Sequence, residues 1–321
     1  MRKNSILLVG ICILFLSCSK EKEQVSRAAS SGDNLSGEIQ LSGAFALYPM
    51  VIRWAEEFKK LHPDVKIDVS GGGAGKGITD ALAGVVDLGM VSREIYPEEE
   101  KKGAVAFAVV KDAVVPTINS NNPEIAAIRR IGLKKGVAEK LWSGQLTTWG
   151  QVLGTGSKIP VHVFTRSDAC GAAETFAKWF GKKQENLKAT AVFGDPGVSG
   201  AVQKDRVGIG YNNIAYAYDQ NTKKSFENIA VIPIDFNENG KIDPEEDFYQ
   251  DSSSLIKAII DGKYQSPLAR DLYVVSKGKP TKPEVIAFLK FILTEGQKYA
   301  GETGYINLTK EKLDEVSGKL K

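Results

Sequence analysis

The sequence predicts an α/β protein of two lobes joined by hinge strands, and three observations carry that prediction. Strand and helix alternate with short loops between residues 37 and 90, a second strand-loop-helix unit starts near Val161, and an apolar strand and helix between Leu272 and Thr294 bring the chain back to the first lobe. Residues 37–112 and 265–321 are expected to form the first lobe, and residues 113–264 the second.

Ahead of the lobes, Met1 to Lys3 is basic and Ile6 to Leu16 is an apolar run. Such a pair has the form of a secretory signal and is too short for a span of roughly 20 residues. The run ends in Leu16-Ser17-Cys18-Ser19, which resembles a bacterial lipobox, so residues 1–18 are expected to be a lipoprotein signal with Cys18 the lipidated thiol. Residues 19–36, rich in Ser, Lys and Glu, read as a flexible tether. Without the signal only Cys18 and Cys170 remain, so no internal disulfide is expected. The net charge of +3 is small for 321 residues and gives no ground for a nucleic-acid partner.

The first unit reads as a strand over 37–41, a helix over 49–61, a strand over 65–69, a helix over 77–83 and a strand over 87–90. Val51, Trp54, Ala55, Phe58 and Leu61 form the apolar stripe of the first helix, and Pro49 stands at its start. Residues 105–110 and 113–118 read as two strands leading into the second lobe. Val161 to Thr165 is a further strand, followed by Arg166 to Gly171 and a helix through Phe180. In sheets of this kind ligands bind beyond the carboxyl ends of the strands, where the loops 42–48, 70–76 and 166–171 are expected.

These loops suit an anion. Ser70-Gly71-Gly72-Gly73-Ala74-Gly75-Lys76-Gly77 joins a strand to a helix, bringing free amides and the positive end of the helix dipole together. It lacks the Gly-x4-Gly-Lys-Ser/Thr spacing of a nucleotide P-loop. Arg166 beside Asp168 offers a fork for oxyanion oxygens. Asp87, at an end of the third strand, makes sense near an anion if the ligand carries a proton, as hydrogen phosphate does and sulfate does not. Cys170 lacks a placed base, and His62 and His162 read as structural, so no catalytic group is assigned. A helix start would lower the thiol's pKa.

Taken in order, these residues resemble the phosphate-binding receptors of bacterial ABC importers, which are two-lobed periplasmic binding proteins. The resemblance runs from Glu38 to Leu308 and includes Ser42-Gly43 to Pro49 and Trp54, Asp87-Leu88-Gly89, Leu141 to Gly144 with Trp149, Gly208-Ile209-Gly210-Tyr211, and Gly296-Gln297 to Ile306. It implies capture of inorganic phosphate by hinge closure for the membrane subunits of an importer, outside the cytoplasm, with no reaction catalysed and no cofactor needed for activity. Carried over by position, the site comprises Ala44, Phe45, Ala46, Gly73, Ala74, Gly75, Asp87, Arg166, Asp168, Cys170, Gly171 and Ala172. Where the family offers hydroxyls, this chain has Phe45, Ala74, Cys170 and Ala172. Ser42, Ser70, Ser92, Arg93 and Ser167 could supply donors if they turn inward. Another oxyanion, or a sensor or scavenger without an importer, therefore stays open.

A separate motif spans residues 235–246. Asp235, Asn237, Asn239, Lys241 through its carbonyl, Asp243 and Glu246 fill the ligand positions of a twelve-residue calcium loop, with Gly240 at its sharp turn. The residues before it read as a strand, so a structural calcium ion outside an EF-hand is expected.

Overall fold

The computed structural model describes residues 35–264 and 266–320; the signal, Cys18 and residues 19–34 of the tether lie outside them. Nine strands, β1 (Gly37–Gly43), β2 (Val65–Gly71), β3 (Leu88–Val91), β4 (Ala104–Asn119), β5 (His162–Arg166), β6 (Thr190–Val192), β7 (Gly208–Asn213), β8 (Ile229–Val231) and β9 (Ala269–Lys277), follow the order β2-β1-β3-β9-β4-β7-β5-β6, with β8 beside β4. The helices are α1 (Tyr48–Leu61), α2 (Gly73–Ala83), α3 (Pro97–Lys101), α4 (Ile125–Ile131), α5 (Lys135–Trp142), α6 (Trp149–Leu153), α7 (Gly171–Trp179), α8 (Gly194–Lys204), α9 (Ile214–Ala217), α10 (Ser252–Ile260), α11 (Pro283–Leu293) and α12 (Lys310–Gly318). Among the described residues no helix is long and apolar enough to cross a membrane.

Two hydrophobic cores divide this sheet. Trp54, Phe58, Phe107, Phe288 and Ile292 belong to the first, and Trp142, Trp149, Phe176 and Tyr211 to the second. The stripe on α1 supplies Val51, Trp54 and Phe58 to the first core, and the Trp54 indole donates to the Gly296 carbonyl at 2.8 Å, tying α1 to the returning C-terminal segment. One strand passes through both interiors. Residues 105–110 and 113–118, read as two strands from sequence, are halves of the 16-residue β4, whose register with β9 shifts between Ala108 and Val110.

Helix α2 begins at Gly73, four residues before the start expected at Gly77. Glycine is a poor helix former, so local propensity hides this turn. Contact with the sheet overrides it: a Cβ on Gly77 would lie 2.3 Å from the Met90 carbonyl, and one on Gly89 2.2 Å from that of Gly77. Only glycines let the helix rest on the strand backbones, and that contact carries its N-terminus over the strand ends.

Candidate functional site

Parallel strands β1 and β2 end at Gly43 and Gly71 in the first lobe, and β5 ends at Arg166 in the second. Beyond these ends the starts of α2 and α7 meet. The Gly75 amide donates to the Ala169 carbonyl at 3.0 Å. A Cβ on Gly73 would lie 2.4 Å from Asp168 Oδ2, and one on Gly171 2.1 Å from the Ser92 carbonyl. The lobes are therefore shut, with backbone against backbone at their common face. The Tyr96 hydroxyl donates to Glu174 Oε1 at 2.6 Å, and that of Tyr216 to the Phe45 carbonyl at 3.0 Å, across the same face.

Arg166 is held from below. Phe176 stacks on Tyr211 with ring centroids 4.6 Å apart, and the Tyr211 hydroxyl meets Thr165 Oγ1 at 2.7 Å and accepts from the Arg166 amide at 3.3 Å. Core packing thus fixes the strand end on which the guanidinium stands. Its Nε donates to Asp168 Oδ1 at 2.8 Å, its Nη2 to the other Asp168 oxygen, and its Nη1 to Asp195 Oδ2. The side chain is only 1 % exposed. Burial disfavours its charge, but Asp195 and Asp168 together hold its pKa above the ordinary value. Burial likewise pushes Asp168 upward, and the Arg166 hydrogen bond and charge outweigh it, so that carboxyl sits below its usual range.

Asp195 was not expected from the sequence. It stands in the first turn of α8, where Asn213 Nδ2 donates to its other oxygen at 2.7 Å. The signal available was a third strand-loop-helix unit, with Gly194-Asp195-Pro196-Gly197 following a short strand.

Several expected donors are committed elsewhere. The Ala44 amide donates to Met90, and that of Gly75 to Ala169. Gly73 and Ala74 in α2, and Gly171 and Ala172 in α7, precede the first amide that an intrahelical carbonyl can serve, and α2 has no side-chain cap. Phe45 and Ala46 occupy the centre of the turn closed by Leu47 N to the Ala44 carbonyl, which uses neither amide. The Phe45 ring lies 5.5 Å from the Arg166 guanidinium carbon and meets the exposed Phe193 edge-on. Ser42 bonds Asp80 at 2.6 Å, Ser70 reaches the Leu41 carbonyl, and Ser167 is exposed. Arg93 turns to Glu99 at 2.7 Å and stacks on Tyr96. Ser92 alone among these hydroxyls borders the joint, beside Gly171.

Two expectations are corrected. Asp87 precedes β3, opposite Gln40, whose amide donates to it at 2.9 Å, and it pairs with Lys282 at 2.8 Å. The anion loops leave the sheet at Gly43, about 10 Å further along at ~3.3 Å per residue. Strand direction thus places Asp87 at the amino end, away from Arg166, and the carboxylates at the site are Asp168 and Asp195. Cys170 does not carry a lowered pKa: burial pushes its thiol up to about 12 against the opposing pull of Arg166, and Sγ caps α7 by accepting from the Ala173 amide. The two histidines lie elsewhere, His162 on Asp205 at 2.6 Å and His62 against Phe58.

In the loop 235–246, Asp235 accepts from the amides of Asn239 and Gly240, and Glu246 from those of Phe236 and Asn237. Both carboxylates are buried, at 1 % and 7 % exposure. Asn237 and Asn239 converge on one oxygen of Asp243 at 3.0 and 2.7 Å. Lys241 also lies on Asp243 and, with the two amides, holds its carboxyl at about 2. Gly240 takes φ 88°, as the sharp turn demands.

The family model for the PBP superfamily domain matches residues 28–295. This chain belongs to the PBP superfamily. Among curated members, the phosphate-binding protein PstS of Staphylococcus epidermidis is 27 % identical over 307 residues, covering 93 % of this chain and 86 % of the relative. A Clostridium perfringens substrate-binding protein solved with bound phosphate superposes with a TM-score of 0.70 at 24 % identity, covering 85 % of this chain and all of that one. An ABC-type phosphate transport receptor from Vibrio cholerae gives 0.60 at 22 %, covering 84 % and 100 %. The two-lobed PBP fold, with its cleft at the strand ends, is therefore the frame in which Arg166 and the two helix starts stand.

Proposed function

We propose that this protein is an extracytoplasmic receptor that captures inorganic phosphate between its lobes and delivers it to an ABC importer. The observation that carries this reading is the meeting of two helix starts, α2 and α7, from opposite lobes beside the buried guanidinium of Arg166. Unserved amides at Gly73, Ala74, Gly171 and Ala172 with one fixed cation suit an oxyanion. The PstS relatives favour phosphate among oxyanions. Asp168 and Asp195 leave one more negative than positive charge on this cluster, which favours a ligand that carries a proton. The site presents no nucleophile with a partnered base, so binding without catalysis is the reading. Residues 1–18 would deliver the chain across the membrane and Cys18 would hold it there by lipid.

Calorimetric titration of refolded, ligand-stripped protein with phosphate, sulfate and molybdate tests the assignment. Micromolar or tighter binding of phosphate alone supports it. Heat with another oxyanion and none with phosphate replaces the cargo, and silence with all three removes the oxyanion reading.

The loop 235–246 is proposed to hold a structural calcium ion. Its buried Asp235 and Glu246, with Asn237 and Asn239 gathered on Asp243 through their side-chain nitrogens, bring the ligand-type side chains into one loop, and the ion would require the two amides to turn their oxygens inward. Calcium should raise the unfolding midpoint of the protein and not of Glu246→Gln. Equal midpoints with calcium and with chelator would overturn the site.

A further inference from the structure

The hinge carries a buried charged pair that the anion site does not use. Asp112 on β4 stands opposite Arg270 on β9 in the strand register. Arg270 nevertheless reaches elsewhere, with Nε to the Ser92 carbonyl at 2.7 Å in the first lobe and Nη2 to Asn213 Oδ1 at 2.6 Å in the second. Asn213 passes to Asp195, and Asp195 to Arg166, so one continuous polar chain links the hinge to the anion site. Arg270 Nη1 and both oxygens of Asp112 are buried without a hydrogen-bond partner. Asp112 is 1 % exposed.

A carboxylate and a guanidinium on facing strand positions, buried with unused hydrogen-bonding capacity, are a costly arrangement. The shut lobes account for it. Ser92 and Asn213 belong to different lobes, and Arg270 can hold both only while they are together. Burial pushes the Asp112 carboxyl up to about 7, against the opposing charge of Arg270 and the weaker pull of the Ala113 and Ile214 amides, which face it without closing a hydrogen bond. The other groups facing it are Asp195 on α8, Tyr216 on α9, and Tyr264 and Tyr305 from the segments packed beyond. Burial first, then nearby acidic groups and phenols, raises the three tyrosines above their ordinary value, so they stay neutral around pH ~7.

We infer that Asp112 and Arg270 are positioning residues forming a two-state hinge switch. With the lobes shut, Arg270 braces Ser92 and Asn213 and leaves Asp112 protonated; as they part, Arg270 falls back on Asp112, which releases its proton to solvent. Closure on ligand therefore takes up a proton. The carboxyl binds its proton more tightly in the shut form, so this contribution to closure is fully present in acid. It declines from the ordinary carboxylate value of ~3.9 upward and is lost once the pH has passed through about 7.

The inference rests on the phosphate reading for its ligand, and the experiment separates the two. Phosphate is titrated calorimetrically near pH ~5.5 in buffers of different ionisation heat, into the wild type and Asp112→Asn. The wild type should take up about one more proton per phosphate, and its affinity relative to the variant should fall by roughly tenfold or more between about pH 5 and pH 8. Equal uptake with a flat ratio overturns the switch. If phosphate gives no heat with either protein, small-angle scattering of the ligand-free wild type reads closure directly. A form compact in acid that opens as the pH rises, with no such change in the variant, keeps the switch and discards phosphate. No change with pH in the wild type overturns the switch whatever the ligand.

Discussion

Replacing Gly171 with alanine should separate helix stability from ligand capture. The residue heads α7, where alanine is the better helix former, so the substitution alone would favour the fold by a few tenths of a kcal/mol, up to about 1. The new Cβ, however, would fall 2.1 Å from the Ser92 carbonyl and 2.4 Å from Ser92 Oγ, well inside an ordinary contact of 3.4 Å or more. Ser92 belongs to the other lobe, so relief requires the joint to open by more than ~1 Å. An opening of that size stretches the Gly75 to Ala169 bond, now 3.0 Å, and the Tyr96 to Glu174 bond, now 2.6 Å, beyond useful length. At ~0.5–1.5 kcal/mol each, closure loses about 1–3 kcal/mol, or roughly 5- to 150-fold in affinity. The amide of residue 171 survives, so the ligand contact itself is retained. Phosphate titration together with thermal unfolding measures both effects. Undiminished affinity in Gly171→Ala would refute the claim that this shut joint is the ligand-holding state.

Arg166→Gln leaves Asp168 and Asp195 buried without their cation; chemical denaturation should show a loss of about 3–5 kcal/mol along with loss of anion binding. Asp87→Asn removes a half-exposed pair with Lys282, so stability should change by ~0–1 kcal/mol and discrimination between phosphate and sulfate should stay as in the wild type. In a Cys18→Ser background, Cys170 should react with a thiol-specific reagent at pH ~8 only after unfolding, because the group is buried and its thiol is pushed up to about 12. Rapid reaction in the folded protein would show that α7 opens locally.

The hydrophobic periodicity of α1 made that helix legible, because one stripe serves one core. The loop beginning at Arg166 was legible too, since strand, charged turn and helix are contiguous in sequence. Asp87 misled because residue type says nothing about which end of a strand faces the cleft; direction is settled by pairing with β1, whose nearest residue is Gln40. Asp195 was missed because its partner Arg166 is 29 residues away and only the fold brings them together. The early start of α2 was hidden for a different reason. Its glycines are poor helix formers taken singly, and their use lies in the close approach of helix to sheet, which only the assembled backbone reveals.

Strand β4 sets a rule for how this protein can change. Both faces of its 16 residues are covered along most of their length, Phe107 to Val110 by one interior and Ala113, Val114, Val115 and Ile118 by the other. Deleting one residue within it would exchange the side chains on the two covered faces of the sheet in one lobe, where neither set fits the other's packing, and leave the other lobe in step. The loops around the cleft can lengthen or shorten while both cores persist. Between Ala104 and Asn119, lineages of this chain can drift by substitution, whereas a change in length is tolerated only where the ladder already slips, between Ala108 and Val110.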